Sequence, residues 1–249
     1  WASWDFPGTF VDGEMIAMPK GRGQGVECHR FIHLVAASAK IFSRVLVSAI
    51  ETSPDLPPPH PLQFGFVRGR NCVTATLVKE VTVGNCLRQG MGALRIALDV
   101  AQAFPSVDHK ALARLAADLP GRGGAAARSL VAQLCDARVA FQADGMGSPR
   151  QFSLRSGTRQ GDVSGPVMFR LVYDRVLVDF QGRWQEYAVA HGLPTDPVTW
   201  EVSAESVDPS PSVRVMEGWM SAFTTPVVAF ADDAELCVPV PMTCTAQEW

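Results

Sequence analysis

The feature that most constrains this chain is a pair of adjacent acids inside an otherwise apolar, strand-like run. The run reads VVAFADDAELCV, with Asp232 and Asp233 at its centre. Burying one carboxylate is unfavourable, and burying two neighbours is worse because each charge opposes ionisation of the other. The flanking residues favour strands, so we predict a hairpin whose tight turn carries both acids. Two interpretations follow: a solvated surface turn, or a site for a hard divalent cation such as Mg²⁺.

A third acid favours the metal-site interpretation. Asp99 ends the predicted strand RIALDV. In isolation, an aspartate that ends a strand is more often a turn former than a ligand. If this strand and the acidic hairpin belong to one sheet, Asp99 and Asp232 would lie at the same edge. Carboxylates placed in this way can hold two Mg²⁺ ions and promote in-line phosphoryl transfer.

Composition limits the classes of protein to consider. The chain has 249 residues, 47% of them hydrophobic, which predicts a globular protein with a sizeable core. Its formal charge of −3 and pI of about 6.0 give no global attraction to nucleic acid, so a polyanionic partner must be held locally. The six cysteines form no CxxC pair, which argues against a zinc site and a disulfide scaffold. We therefore expect reduced thiols and an intracellular location. Because the sequence contains no long apolar run, we expect no membrane span.

The order of predicted elements indicates an α+β fold, with helices on one face of a mainly antiparallel sheet. GEMIAMPKGRGQG reads as a strand followed by a flexible Gly-rich loop, and ARVAFQADGMGSPRQFSLRSG reads as a hairpin. SVDHKALARLAADLP reads as a helix with Ser106 as its N-cap and Pro120 as its stop. LVAASAKIFSRVLVSAIE has helical apolar spacing through Ile41, Val45, Leu46 and Ala49.

Five segments in a fixed order resemble a known family. LDVAQAFPSVDH, SGTRQGDVSGPVMFRLVYD and AFADD resemble the three palm motifs of reverse transcriptases, most like those of LINE-type (non-LTR) retrotransposons. Upstream, IAMPKGRGQGVECHRFIHLVAASAKIFSRVL and QFGFVRGRNCVTATL resemble the fingers blocks of that family. The resemblance implies fingers over residues 1–90 and a palm over residues 91–249, with the thumb absent. Within the palm region, residues 193–212 are rich in Pro, Ser, Thr and acid, which predicts an insertion.

The resemblance also implies an activity, RNA-directed DNA polymerisation, and a metal site that performs it. Asp99, Asp232 and Asp233 match the catalytic acids, and Asp99, Val100, Asp232 and Asp233 match the metal-binding positions. Asp99 and Asp232 would be the principal ligands of two Mg²⁺ ions, or of Mn²⁺, with Asp233 a supporting acid. The metals would activate the primer 3′ hydroxyl and stabilise the leaving pyrophosphate.

The same resemblance assigns five residues to the incoming nucleotide and template. Lys20 and Arg30 match cations that grip the triphosphate, although each residue taken alone is more often a solvated surface charge. Phe104 matches the aromatic that excludes a 2′ hydroxyl, or else it is a core ring under the sheet. Gln160 and Gly161 match the loop that packs against the nascent base pair, where a glycine lets backbone approach a nucleotide closely.

The implied partners are an RNA template, a DNA primer, dNTPs, and thumb and endonuclease domains of a longer polyprotein that acts in the nucleus. Departures from the family pattern keep a catalytically inactive remnant open: Pro105 stands where a second acid is common, and Val163 and Gly165 replace the usual Pro and Ser. Another two-metal phosphotransferase with a similar palm is a remoter alternative. Phe104 disfavours an RNA-directed RNA polymerase, because a ribonucleotide enzyme needs that space open.

Overall fold

A computed structural model describes residues 6–21, 25, 28–88, 90–142, 148–191 and 227–241. The chain divides into two compact units that alternate along the sequence. Unit 1 comprises Trp1–Pro57 and Ala101–Tyr173, and unit 2 comprises Pro58–Val100 and Asp174–Trp249. The predicted fingers–palm boundary at residue 90 stays a prediction, and the predicted insertion at 193–212 lies outside the described residues.

Helices and strands are mixed along the chain, as the sequence pattern predicts. In order, the described elements are α1 (Gly8–Val11), β1 (Gly13–Pro19), β2 (His29–Val35), α2 (Ala37–Glu51), α3 (Cys72–Arg88), β3 (Met91–Asp99), α4 (Ala103–Ser106), α5 (His109–Asp118), α6 (Gly121–Cys135), β4 (Arg138–Phe141), β5 (Arg150–Ser153), α7 (Gly165–Ala190), β6 (Val227–Phe230) and β7 (Asp233–Pro241).

Unit 1 contains a four-stranded sheet in the order β2-β1-β4-β5. The β1–β2 and β4–β5 pairs are antiparallel, whereas β1 and β4 are parallel. The structure confirms the predicted strand within GEMIAMPKGRGQG, which is β1, and the predicted hairpin, which is formed by β4 and β5. The sheet is mainly antiparallel, with this one parallel pair.

Helix α2 differs from its prediction in both its start and its buried face. Its first residue is Ala37, because the preceding Leu34 and Val35 belong to β2. Ile41 and Val45, predicted on the apolar face, are 69% and 56% exposed. The buried residues are Ala39, Ser43, Val47 and Ile50. The helix is apolar on more than one side, and contact with α6, whose buried residues are mostly small, selects the side that is covered.

The predicted N-cap of α5 is also corrected. Asp108 is the cap, and its side chain accepts a hydrogen bond from the Ala111 amide at 2.8 Å. Ser106 ends the separate short helix α4, and its hydroxyl donates to the Ala103 carbonyl. Helix α5 ends at Asp118, before the predicted stop at Pro120. Both Ser and Asp are good caps, and the local turn of α4 decides between them.

Unit 2 contains an antiparallel sheet in the order β3-β7-β6, with α3 packed against it. The outer side of β6 is flanked by the segment around Gln63, which bridges Ala229 in parallel. A buried cluster joins this segment, α3 and β6 through Phe64, Ala75, Val78 and Val228. Helix α7 belongs to unit 1 up to Tyr173 and to unit 2 from Asp174.

Two further expectations concern thiols and membranes. The described cysteines, Cys28, Cys72, Cys86, Cys135 and Cys237, are all free. The predicted reduced state of the thiols stays a prediction. In the part of the chain that the structure describes, no helix is both long and apolar enough to span a bilayer.

Candidate functional site

The acidic pair lies at a hairpin turn, as predicted. Strands β6 and β7 are joined at Ala231 and Asp232, and Asp233 is the first residue of β7. Along the neighbouring pair of strands, Asp99 is directly opposite Asp233. Residues directly opposite in an antiparallel pair project from the same face of the sheet. The structure therefore brings Asp99 against Asp233, with Asp232 next to them in the turn.

A nearby glutamate on the same face is neutralised by two cations. Glu235 lies two residues beyond Asp233 and forms a salt bridge with Lys79 of α3 at 3.1 Å. It also accepts a hydrogen bond from the Nε of Arg95, which itself pairs with Glu80 at 3.1 Å. The hydrogen bond from Arg95, followed by that from Lys79, lowers the pKa of Glu235 below its usual value. The negative charge of Glu235 is thus balanced by the side chains of Lys79 and Arg95.

The aspartates at the strand ends contrast with this glutamate. Within the described ranges, no salt bridge involves Asp99, Asp232 or Asp233. Like charges placed directly opposite each other in a sheet destabilise it. A bound cation would relieve the repulsion between Asp99 and Asp233.

The chemistry of this site fits a hard cation held partly by substrate. A cavity of about 350 Å³ is lined by Asp99 and Asp233, with Glu235 and Lys79 further along. No group of three or more His, Cys, Asp or Glu side chains is arranged to hold a metal among the described residues. Magnesium sites that act on nucleotides commonly use one or two protein carboxylates, with waters and substrate phosphates completing the shell. Two facing carboxylates are consistent with such a site.

In unit 1, the segment from Gly157 to Asp162 is hydrogen-bonded to several elements, among them α4 and β2. The Thr158 amide donates to the Phe104 carbonyl of α4 at 2.8 Å. The Gln160 carbonyl accepts from the His33 amide of β2 at 2.7 Å. This segment therefore connects the strand that carries Arg30 to the helix that carries Phe104.

Close packing explains Gly161, the second of the two glycines in this segment. Gly161 has a φ of 105°, and a Cβ atom added there would lie 2.8 Å from the His33 carbonyl oxygen. A side chain at this position would meet both backbone strain and a steric clash. The requirement for glycine thus follows from contact with β2, and the predicted close approach of a nucleotide stays a prediction.

A buried ion pair flanks Gln160 and Gly161 on both sides. The guanidinium of Arg159 lies 2.9 Å from the Asp162 carboxylate, and the two side chains are 3% and 0% exposed. The Ser164 hydroxyl also donates to Asp162 at 3.0 Å. Burial lowers the pKa of Arg159, an effect that the Asp162 charge opposes. The backbone between these residues is therefore held from inside the protein.

A comparison with protein families identifies the family of this chain. The family described as reverse transcriptase (RNA-dependent DNA polymerase) matches residues 19–240. The chain belongs to the reverse transcriptase family. This match extends over nearly the whole chain and confirms the family predicted from the motifs.

A sequence relative narrows the class of reverse transcriptase. The retrovirus-related Pol polyprotein from type-1 retrotransposable element R2 of Popillia japonica is 25% identical over 152 residues. The aligned region is 61% of this chain and 21% of that polyprotein, so the chain spans about a fifth of its length. With the family match, this confirms a reverse transcriptase domain of the non-LTR class.

Solved structures support the reverse transcriptase fold. The apo telomerase of Candida tropicalis, truncated from its C-terminal domain, has a TM-score of 0.56 at 10% identity, covering 92% of this chain and 44% of that one. The Candida tropicalis telomerase in complex with a TWJ fragment of telomeric RNA has a TM-score of 0.52 at 11% identity, covering 92% and 36%. At such identities the likeness shows the fold alone.

The predicted reverse transcriptase residues fall into both units. Asp99, Val100, Asp232 and Asp233 lie in unit 2. Lys20, Arg30, Phe104, Gln160 and Gly161 lie in unit 1. Lys20 and Arg30 are exposed near the end of the β1–β2 hairpin, and the Phe104 ring is 5.5 Å from that of Phe169.

Sequence reasoning missed the residues that support these sites. Glu235 stands two residues after Asp233, and Lys79 stands beside Glu80 within the predicted fingers region, so no local pattern marks the two as partners. Arg159 and Asp162 stand within the second palm motif, where they were not singled out. Gln63 lies in QFGF, to which the resemblance assigns no individual role.

Proposed function

We propose that this domain synthesises DNA on an RNA template, adding deoxynucleotides to a primer 3′ hydroxyl at a two-metal site. One contrast carries the proposal. Glu235 has two cationic partners, whereas Asp99 and Asp233 face each other with none among the described side chains. In a reverse transcriptase, such uncompensated carboxylates are the expected ligands of Mg²⁺.

The strand ends would hold the metals rigidly. Asp99, beside Val100, and Asp232 would be the principal ligands, with Asp233 in support. Bound Mg²⁺ or Mn²⁺ ions would lower the pKa of the primer hydroxyl and neutralise charge on the leaving pyrophosphate. The antiparallel pairing of β3 with β7 keeps the acids in a fixed arrangement, which this chemistry needs because it consists mostly of positioning.

The residues of unit 1 would hold the incoming nucleotide. Lys20 and Arg30 would bind the triphosphate, with the Arg30 guanidinium able to contact two phosphate oxygens at once. Phe104, supported by the neighbouring Phe169 ring, would exclude a 2′ hydroxyl. Gln160 and Gly161 would contact the nascent base pair and the template strand.

The β3-β7-β6 sheet with α3 would form part of a palm spanning 91–249, and residues 1–90 would form the fingers. An RNA template, a DNA primer and dNTPs would be the partners. The much greater length of the Popillia japonica relative suggests a longer polyprotein, in which thumb and endonuclease domains would complete the enzyme in the nucleus.

Mn²⁺ titration and primer extension test this proposal. We expect saturable Mn²⁺ binding that weakens in Asp99→Asn and Asp232→Asn, and incorporation of dNTPs that both substitutions abolish. Asp179→Asn removes an exposed acid on α7 and is the matched control, with both properties retained.

The outcomes separate the alternatives. Metal binding without incorporation would support a catalytically inactive remnant that keeps the fold and acids. Equal Mn²⁺ binding by the wild type, Asp99→Asn and Asp232→Asn would reject the metal site.

A further inference from the structure

The turn between the acidic strands has an unfavourable backbone conformation. Ala231, which precedes Asp232, has a φ of 59°. This left-handed region is readily adopted by glycine, whereas a residue with a Cβ atom persists there only when its surroundings hold it. Ala231 is also only 7% exposed, so its backbone polar groups need partners within the protein.

One side chain satisfies both backbone groups of Ala231. The Gln63 Oε1 accepts from the Ala231 amide at 3.0 Å, and the Gln63 Nε2 donates to the Ala231 carbonyl at 3.2 Å. Gln63 is 1% exposed. Its Oε1 also accepts from the Gly65 amide at 2.7 Å. Two amide donors around Oε1 and a carbonyl beside Nε2 determine the orientation of the side-chain amide.

The segment that carries Gln63 is itself held in place. Arg70 donates to the carbonyls of His60 and Gln63 at 2.6 Å and to that of Pro61 at 3.2 Å. A Cβ atom added to Gly65 would collide with the backbone nitrogen of Ala231. Gln63 therefore extends from a rigid support, and only a glycine at 65 allows the turn to approach it.

We propose that Gln63 is a positioning residue that sets the backbone of Ala231 and thereby the direction of the Asp232 and Asp233 carboxylates. This inference rests on the proposed function of those acids, because orientation matters only if they bind metal. Gln63 does not touch the reacting atoms. It acts through the turn, in the way that residues behind a metal ligand orient that ligand.

Gln63→Met tests the proposal, with a control of the same chemistry. The substitution keeps length and apolar bulk but removes the hydrogen bonds to Ala231. Gln133→Met is the matched control, because Gln133 is 0% exposed and its side-chain amide has no partner among the described residues. Neither substitution changes charge.

The first measurement is amide hydrogen exchange at Ala231, which needs neither metal nor substrate. Losing the bond to Gln63 should speed exchange there by roughly tenfold or more in Gln63→Met. Gln133→Met should leave it unchanged. Exchange at Ala231 that is equal in Gln63→Met and wild type would overturn the positioning role, whatever the protein does with metal.

The second measurement is function. Gln63→Met should weaken Mn²⁺ binding and lower kcat by about 10- to 100-fold, with a smaller change in KM for dNTP. Gln133→Met should match the wild type. If the wild type binds Mn²⁺ and incorporates nucleotides but Gln63→Met does so equally well, the positioning proposal fails and the proposed function stands. If the wild type binds no metal, the proposed function fails, and hydrogen exchange still decides whether Gln63 holds the turn.

A second variant, Ala231→Gly, separates a specific effect at the turn from a general loss of folding in Gln63→Met. Glycine adopts a left-handed φ without the penalty that alanine meets, so Ala231→Gly should partly restore stability and Mn²⁺ affinity to Gln63→Met. A glutamine that only fills the core would gain nothing specific from a change at the turn. Equal effects of Ala231→Gly in the wild-type and Gln63→Met backgrounds would therefore contradict the proposal.

Discussion

Removing the negative partner of the buried ion pair in unit 1 should be strongly destabilising. Asp162→Asn leaves the Arg159 guanidinium, 3% exposed, without its anion 2.9 Å away. Breaking a buried pair by neutralising one member costs about 3 to 5 kcal/mol, because the remaining charge stays desolvated. The loss should fall on the backbone around Gln160 and Gly161, which the pair encloses.

The same residue change elsewhere provides the comparison. Asp179→Asn breaks the pair of Arg175 and Asp179, whose side chains are 62% and 55% exposed. An exposed pair one helical turn apart contributes about 0.3 to 0.5 kcal/mol. Denaturant unfolding followed by circular dichroism, with hydrogen exchange at β2 to locate the effect, should therefore separate the variants by several kcal/mol.

A double variant distinguishes the pair from its individual members. Arg159→Met combined with Asp162→Asn leaves no unpaired charge, so its cost should be less than the sum of the single costs. Strict additivity, or a cost below about 1 kcal/mol for Asp162→Asn, would refute the argument that burial makes this pair important.

Two further predictions concern pH and sugar choice. Burial, followed by the Arg159 charge, lowers the pKa of His33 from its usual value of 6.5. Below about pH 6.5 the unfolded chain therefore binds a proton at this residue more readily than the folded chain does. The free energy of unfolding should fall as the pH drops through this range. Denaturant unfolding at several pH values should show that the free energy of unfolding depends less on pH in His33→Gln than in the wild type. An unchanged pH dependence would show that His33 is not the group responsible. Phe104→Ala should admit ribonucleotides while retaining deoxynucleotide use, because it opens space for the 2′ hydroxyl. If both activities fall together, with a loss of about 3 to 5 kcal/mol in a melt, the ring is a packing residue instead.

Local sequence patterns predicted the elements that carry the candidate metal site. The strand that ends at Asp99 and the hairpin around Asp232 and Asp233 agree with the structure. Apolar runs, β-branched residues and turn signals act between near neighbours, so they are readable from a short stretch. The resemblance to the family motifs added the expectation that these acids are catalytic, which stays a prediction.

Local sequence patterns do not predict contacts between segments that are far apart in the chain. The buried face of α2 depends on α6, and the pairing of Asp99 with Asp233 depends on the register of two strands. The left-handed conformation of Ala231 is held by Gln63, far away in the chain. Local propensity states which conformations a segment favours, but burial and hydrogen bonding to a remote partner select among them. The sequence alone therefore determined the elements and their acids, and tertiary packing decided which acids face each other and what holds the turn.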